Sequence, residues 1–140
     1  MSSRRQARRM ALQMLFQADV AEQTAPYVVN SFFRNRKCEP ETAEFARKLF
    51  LGAFSDRQMI DGWIRQHTEH WRMERMATVD RNILRMAVYE MVRRPDTPAA
   101  VILNEALEIA REFSGENAVE FINGVLDNIR KAMNPPPVEN

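Results

Sequence analysis

The sequence predicts an all-α protein, folded as a compact bundle of six or seven helices. Apolar residues recur at helical spacing in nearly every segment. No segment shows the alternation of a strand, and the Val, Ile and Thr residues, 22 of 140, lie in helical registers. Because no linker is long enough to separate two domains, we expect one domain over residues 1–134 and a disordered tail over residues 135–140.

The first helix is predicted over residues 4–20. One stripe of its surface carries the apolar residues that would face the core, which are Ala7, Met10, Ala11, Met14, Leu15 and Ala18. Leu12 and Phe16 lie off this stripe, near the opposite side, and contact each other as i and i+4 neighbours. An exposed apolar pair of this kind favours a protein partner, unless another helix of the bundle covers it.

Two or three helices are predicted between residues 26 and 69. The first begins at Pro26, a favoured first-turn position, and ends near Cys38. Helical spacing then continues from Glu41 to about Glu69. This segment forms either one helix or two helices with a break near Ser55.

Three further helices are predicted in the second half. Thr78 or Asp80 would cap the first of them, and Thr97 would cap the second. A stop at Gly115 precedes the last helix, which runs from about residue 117 to residue 133. The predicted core positions are Ile83, Leu84, Ala87, Val88, Met91, Ile102, Ala106, Ile109, Phe113, Ile122, Val125, Leu126 and Ile129.

The charge is unevenly distributed along the chain, although the net charge is only +1. Residues 1–94 hold seventeen Lys and Arg against eleven Asp and Glu, whereas residues 95–140 hold three against eight. The densest basic run opens the chain and consists of Arg4, Arg5, Arg8 and Arg9. Since the planar arginine fork suits phosphate groups, this run favours contact with a nucleic-acid backbone. A solvated N-terminus is the alternative.

A second candidate contact lies where the last two helices meet. Phe113 and Phe121 flank a polar junction, and Asn117 stands near the N-terminus of the last helix, where free N–H groups attract anions. Aromatic faces and N–H groups together could hold a base and a phosphate. The alternative places both phenylalanines in the core, and the nearby acids Glu112, Glu116 and Glu120 weigh against a simple electrostatic site.

The composition excludes several classes of function. Cys38 is the only cysteine, so disulfides and multi-cysteine zinc sites are excluded, and the four glycines match no nucleotide-binding loop. No catalytic set is recognisable, so we expect a protein that is not an enzyme and needs no cofactor. His67 and His70 have the spacing of a metal site but no third ligand. Without a membrane span or a secretory signal, the expected location is the cytoplasm.

Four segments of the chain carry motifs in a characteristic order. They are RQAR with ALQMLF within residues 5–16, DRNILRMAVYEM at residues 80–91, PAAVILNEALEIA at residues 98–110 and FINGVLD at residues 121–127. In order and spacing these segments resemble the motifs of the NusB family of transcription antitermination factors, from about Arg4 to Lys131. Phe16 stands where that family commonly has tyrosine, and Arg9 where it commonly has an acid.

The resemblance implies a fold of two small helical bundles packed together. It also implies binding to the boxA element of nascent RNA jointly with the ribosomal protein NusE. This complex would load onto RNA polymerase to suppress termination, chiefly in ribosomal RNA operons. By position, the arginine run and the Phe113–Phe121 junction with Asn117 would face RNA. Phe16 and Asp80 would face NusE, with Leu12 beside Phe16.

Two other interpretations stay open at the level of the sequence. The first is a protein–protein adaptor whose arginines are solvated and touch no RNA. The second concerns the apolar pair Leu12 and Phe16, which a homodimer could cover in place of a different partner.

Overall fold

The computed structural model describes residues 3–68 and 72–134. Within these residues the chain forms seven α-helices and one short 3₁₀ turn, Met73–Arg75, and no strand, which confirms the all-α prediction. The helices are α1 (Ser3–Ala21), α2 (Ala25–Phe33), α3 (Pro40–Ser55), α4 (Arg57–Gln66), α5 (Thr78–Arg93), α6 (Ala99–Phe113) and α7 (Glu116–Met133). The predicted tail, residues 135–140, lies outside the described residues.

Helix α1 is packed on several sides. It contacts α2, α3 and α5, and all six residues predicted for its core stripe are buried. The expectation of an exposed Leu12 is wrong, since this side chain is only 3% exposed. Because neighbouring helices cover more than one side of α1, its buried surface extends beyond the single stripe that the helical wheel assigns to the core.

Helix α2 is shorter than the sequence predicts. Thr24 caps it by accepting a hydrogen bond on Oγ1 from the backbone N–H of Tyr27 at 3.4 Å, and Pro26 lies in its first turn. The helix ends at Phe33, before the predicted end near Cys38. Its successor α3 begins at Pro40, after an extended residue, because the position before a proline disfavours helical backbone.

The segment predicted as one helix or two forms two helices, with the break at the expected place. The backbone N–H of Asp56 donates to the carbonyl of Gly52 at 2.9 Å and closes α3. The carbonyl of Asp56 then accepts from the N–H of Ile60 at 3.0 Å and opens α4. Gly52 itself lies where α3 approaches α5, and a Cβ atom there would overlap the ring of Tyr89.

The caps predicted for α5 and α6 are wrong. Ala77 precedes α5 without a side-chain cap, and Thr78 and Asp80 lie inside its first turn. Pro98 precedes α6, so Thr97 lies one residue too early to cap it. In both places the residue before the helix has a ψ angle near 140°, the non-helical backbone of a cap position.

Gly115 separates α6 from α7, which confirms the predicted stop. The N–H groups of Ser114 and Gly115 both donate to the carbonyl of Ala110, at 2.8 and 3.0 Å, and close α6. The φ angle of Gly115 is 117°, a backbone conformation that favours glycine. The chain can therefore leave α6 and start α7 within two residues.

Helices α5, α6 and α7 pack on one another, and α4 lies against α5 and α7. Their predicted core residues are buried with two exceptions: Met91 is partly buried, and Phe113 is 40% exposed. The prediction of a buried Phe113 is thus wrong, because this residue is the last of α6 and lies where the packed part of the helix ends.

A polar network joins α1 to α4 and α5. Oδ2 of Asp19 accepts hydrogen bonds from Arg81 at 2.7 Å, Asn82 at 3.0 Å and Arg85 at 3.1 Å. Arg85 also pairs through two bonds with Asp61 of α4, at 2.8 and 3.0 Å. Burial raises the pKa of Asp19, but the hydrogen bonds from Arg81 and Asn82 outweigh it, so the pKa lies below its ordinary value.

Candidate nucleic-acid interface

The arginine run begins in the first turns of α1. Arg4 is exposed, and its guanidinium lies over the ring of Phe45, 4.3 Å from the centroid. Arg5 reaches α6, where its Nε and Nη2 donate to the carboxylate of Glu105 at 2.8 and 3.1 Å. The hydrogen bond and charge of Glu105 raise the pKa of Arg5, and the same hydrogen bond lowers the pKa of Glu105.

Arg8 is buried, contrary to the expectation that it faces RNA. Its Nε and Nη2 donate to the two carboxylate oxygens of Glu90 in α5, at 2.7 and 2.8 Å. Burial lowers the pKa of Arg8, but the hydrogen bond and charge of Glu90 raise it by more, so the pKa is raised. Because a buried carboxylate needs a partner, Arg8 is committed to Glu90 and is not available to RNA.

Arg9 pairs with Glu112 at the end of α6, with its Nε 2.8 Å from Oε2. Three of the four arginines in the run therefore have carboxylate partners from α5 and α6, namely Glu90, Glu105 and Glu112. The basic first part of the chain thus folds against acids of later helices. Of the candidate RNA contacts in the run, Arg4, Arg5 and Arg9 lie at or near the surface.

The junction between α6 and α7 presents two of its three candidate RNA contacts to solvent. Phe113 and Asn117 are exposed, and Asn117 lies in the first turns of α7, whose N-terminus carries partial positive charge. Phe121 is half-buried and packs against the core. Phe113 directly follows Glu112, so this junction adjoins the Arg9 pair.

Of the candidate partner contacts, Asp80 lies at this junction and Phe16 lies on α1. Phe16 is 38% exposed on α1, and Val20, one turn later, is 59% exposed. Asp80 accepts a short hydrogen bond on Oδ1 from the hydroxyl of Ser114. Sequence reasoning missed Val20 and Ser114: Val20 follows Phe16 at i+4 spacing and could have been found, whereas the link from Ser114 to α5 arises only in the folded protein.

The last three residues before Gly115 each carry or contact one of the separately predicted residues. Glu112 holds Arg9, Phe113 is exposed, and Ser114 holds Asp80. We call this stretch, residues 112–114, the α6 end.

No cluster of three or more potential metal ligands occurs among the described residues. Nδ1 of His67 lies 2.8 Å from the carbonyl of Trp63, and His70 lies outside the described part of the chain. Cys38 is exposed and free. No helix in residues 3–68 and 72–134 is long and apolar enough to cross a membrane.

The bundle and its surface define an all-helical binding protein that exposes basic, aromatic and apolar side chains. The NusB family model matches residues 5–131, so the chain belongs to the NusB family. This confirms the predicted family and, since the curated relatives are transcription antitermination proteins, the prediction that the chain is not an enzyme.

Among the relatives, the transcription antitermination protein NusB of Koribacter versatilis is 51% identical over 94% of this chain and 90% of its own length. A structure of T. maritima NusB superposes with a TM-score of 0.84 at 33% identity over 91% of this chain and 90% of that one. A crystal structure of the antitermination factors NusB and NusE in complex with double-stranded RNA has a TM-score of 0.84 at 27% identity, covering 94% of this chain and 98% of that one.

Proposed function

We propose that the protein binds boxA RNA together with the ribosomal protein NusE and, in the cytoplasm, helps RNA polymerase read through terminators, chiefly in ribosomal RNA operons. The observation that carries this proposal is the continuity of the α6 end. Its three consecutive residues bind Arg9, present an exposed aromatic ring and bind Asp80. The solved complex of a related NusB with NusE and RNA supports it.

The RNA side of the proposed site consists of Arg4, Arg5 and Arg9 of α1 with Phe113 and Asn117 of the junction. The arginines would contact phosphates, and the ring of Phe113 would stack on a base. Phe121 lines the same junction from its half-buried position. Each phosphate contact releases counterions, so the affinity for RNA should fall with salt concentration.

The NusE side consists of Phe16 and Asp80, with Val20 extending the apolar surface. An exposed phenylalanine one helical turn from an exposed valine is suited to bury apolar area against a protein. Asp80 would supply a polar contact at the edge of that area. Because Ser114 joins Asp80 to the α6 end, NusE and RNA would lie next to each other and stabilise each other's binding.

The test is an electrophoretic titration of boxA RNA with the protein, with and without NusE, against a scrambled RNA. We expect selective boxA binding that NusE tightens. Phe16→Ser should abolish the tightening while leaving the weaker binding to RNA alone unchanged, with the exposed Tyr27→Ser as the matched control. Binding to neither RNA, with or without NusE, would sink the proposal.

One observation favours a second candidate function, a protein–protein adaptor without RNA contact. Carboxylates already partner Arg5, Arg8 and Arg9. In an adaptor, replacing Arg4, Arg5 and Arg9 by glutamine would leave NusE binding and antitermination activity intact. In the RNA-binding protein, the same triple variant would bind NusE normally but lose boxA affinity.

A further inference from the structure

A cavity of about 450 Å³ lies between the start of α1, the first half of α3 and the end of α5. Three cationic side chains line it, those of Arg4, Lys48 and Arg94. Of these, only Arg4 belongs to the arginine run. The cavity is therefore a separate feature, which shares only Arg4 with the candidate RNA surface.

Arg94 carries an unused donor in this cavity wall. Its Nε atom is buried and has no hydrogen-bond partner among the described residues. Buried donors in folded proteins are nearly always paired, so the unpaired guanidinium N–H of Arg94 is unusual. Arginine stays protonated in proteins, so its guanidinium group keeps its positive charge and its N–H groups need acceptors.

Phe45 holds the cations in place. The guanidinium carbons of Arg4 and Arg94 lie 4.3 and 4.9 Å from the centroid of its ring, and that of Arg8 lies 5.7 Å away. The buried Arg8 is neutralised by Glu90, whereas Arg4 and Arg94 form no ion pair within residues 3–68 and 72–134. The ring thus orients two positive charges that lack a counter-charge.

The first turn of α3 adds further positive potential. Pro40, Glu41 and Thr42 line the cavity, and the preceding Glu39 makes no side-chain hydrogen bond to cap the helix. The N–H groups of such a helix end attract anions. Two acids also line the cavity: Glu41, and Glu44, which already pairs with Arg47 at 3.1 Å and Lys48 at 3.7 Å. The cations remain in excess.

We propose that this cavity binds a phosphate group of the RNA strand, with Arg94 and Lys48 as contacts that the arginine run does not include. Arg4 connects the cavity to the rest of the run, so one strand could pass from Arg5 and Arg9 across Arg4 to Arg94. A phosphate in the cavity would neutralise the cations that surround Phe45 and accept hydrogen bonds from them. The inference rests on the proposed RNA-binding function.

An acidic protein segment is the competing occupant. It fits less well, because the ring of Phe45 is occupied by guanidinium groups and offers little apolar surface for a peptide. The test distinguishes binding of an acidic protein segment from binding of a phosphate.

The test compares Lys48→Ala and Arg94→Ala with Lys131→Ala as the control. Lys48 and Lys131 are matched: each is exposed and pairs with an acid four residues earlier, Glu44 at 3.7 Å and Asp127 at 3.1 Å. Fluorescence anisotropy with labelled boxA RNA, over a series of salt concentrations and with NusE present, measures affinity and its salt dependence. Thermal melting by circular dichroism checks that the variants are folded.

We expect Lys48→Ala and Arg94→Ala each to weaken RNA binding about three- to tenfold at low salt, the order of one lost charge-assisted contact. The double variant should reduce the salt slope by about 0.7, the value for one phosphate on a single strand. Lys131→Ala should match the unaltered protein. If Arg94→Ala lowers the melting temperature, the RNA affinity of Lys48→Ala, a change at an exposed residue, decides whether the cavity binds a phosphate.

Unchanged affinity and slope in both variants, while the unaltered protein binds RNA, would overturn the cavity proposal and leave the proposed function standing. No RNA binding by the unaltered protein would remove both. Weaker binding of NusE with RNA binding unchanged would assign the cavity to an acidic protein segment and likewise overturn the phosphate proposal.

Discussion

Arg8 of α1 and Glu90 of α5 are joined by two parallel hydrogen bonds inside the protein, although 82 residues separate them in sequence. Their side chains are only 5% and 2% exposed. This bidentate geometry is the strongest arrangement of an arginine and a carboxylate. The pair fixes the start of α1, with its arginine run, to the middle of the bundle.

We expect Glu90→Gln to lower the free energy of unfolding by about 3–5 kcal/mol, because it leaves the buried charge of Arg8 without its counter-charge. The double variant Arg8→Met with Glu90→Met should be far less destabilised, since it removes both charges. Urea denaturation measures both effects. The exposed Arg111→Gln, which breaks the surface pairs with Glu108 and Glu116, should cost under about 1 kcal/mol and serves as the control. A cost for Glu90→Gln no greater than this control would contradict the prediction.

The acids of α6 should restrain RNA binding. Glu112→Gln removes the carboxylate that partners Arg9, so a phosphate of RNA no longer competes with Glu112 for Arg9. We expect RNA affinity at low salt to rise about two- to fivefold and the salt slope to become steeper. Filter binding over a salt series measures both. Glu74→Gln, which makes the same change of charge on the exposed 3₁₀ turn, should leave affinity nearly unchanged. An adaptor whose arginines do not touch RNA would show no difference between the two variants.

The close approach of α3 to α5 should make Gly52 intolerant of a side chain. In Gly52→Ala the new Cβ atom would overlap the ring of Tyr89, which would have to move, at a cost of about 1–3 kcal/mol. Gly62 in α4 is the matched control, because a Cβ there meets nothing within 4 Å. Gly62→Ala should instead stabilise by about 0.5–1 kcal/mol through helix propensity. Equal melting temperatures for the two variants would show that α3 and α5 are not in this close contact.

The Asp19 network predicts loss of stability in acid. The pKa of Asp19 in the folded protein lies below its ordinary value of 3.8. Around and below pH 3.8 the unfolded chain binds more protons at Asp19 than the folded protein does. The contribution of Asp19 to the free energy of unfolding is therefore complete above this pH. It disappears as the pH falls through the lower pKa of the folded protein. We expect the free energy of unfolding to fall between about pH 5 and pH 2.

Asp19→Asn should reduce stability at neutral pH and flatten this acid dependence. Chemical denaturation at several pH values measures the slope, with the exposed Asp96→Asn as the control for a simple loss of negative charge. A slope for Asp19→Asn as steep as that of the unaltered protein would show that other carboxyl groups, such as Glu105, account for the acid dependence.

The periodicity of apolar residues was sufficient to predict the helices and most of the core. The stripe of α1 is confirmed, and of the two alternatives for residues 41–69 the one with a break near Ser55 is found, because helical spacing and local backbone signals depend on neighbours in the sequence. The burial of Leu12 could not be predicted, since it depends on which helices pack on the second side of α1. The predicted caps of α5 and α6 are wrong because no side-chain hydrogen bond caps either helix, and each begins after a residue with non-helical backbone.

The candidate surface was predicted less completely. A run of arginines indicates basic character, but not which of its members are turned inward. The carboxylate partners of Arg5, Arg8 and Arg9 stand 100, 82 and 103 residues away in sequence, and no local pattern pairs them. The opposite charges of the two parts of the chain were the only hint of these contacts. The orphaned donor of Arg94 likewise becomes visible only once the surrounding atoms are placed.

The long separation of these ion pairs has a consequence for synthesis on the ribosome. Helix α1 is made first, but Glu90, Glu105 and Glu112 emerge only 82 to 103 residues later. At about 5–20 residues per second this delay lasts roughly 4–20 s. Until α5 emerges, the apolar stripe of α1 can pack only against α2 and α3. The three ion pairs of the arginine run can therefore form only after most of the chain has been made, whereas the contacts of α1 with α2 and α3 can form earlier.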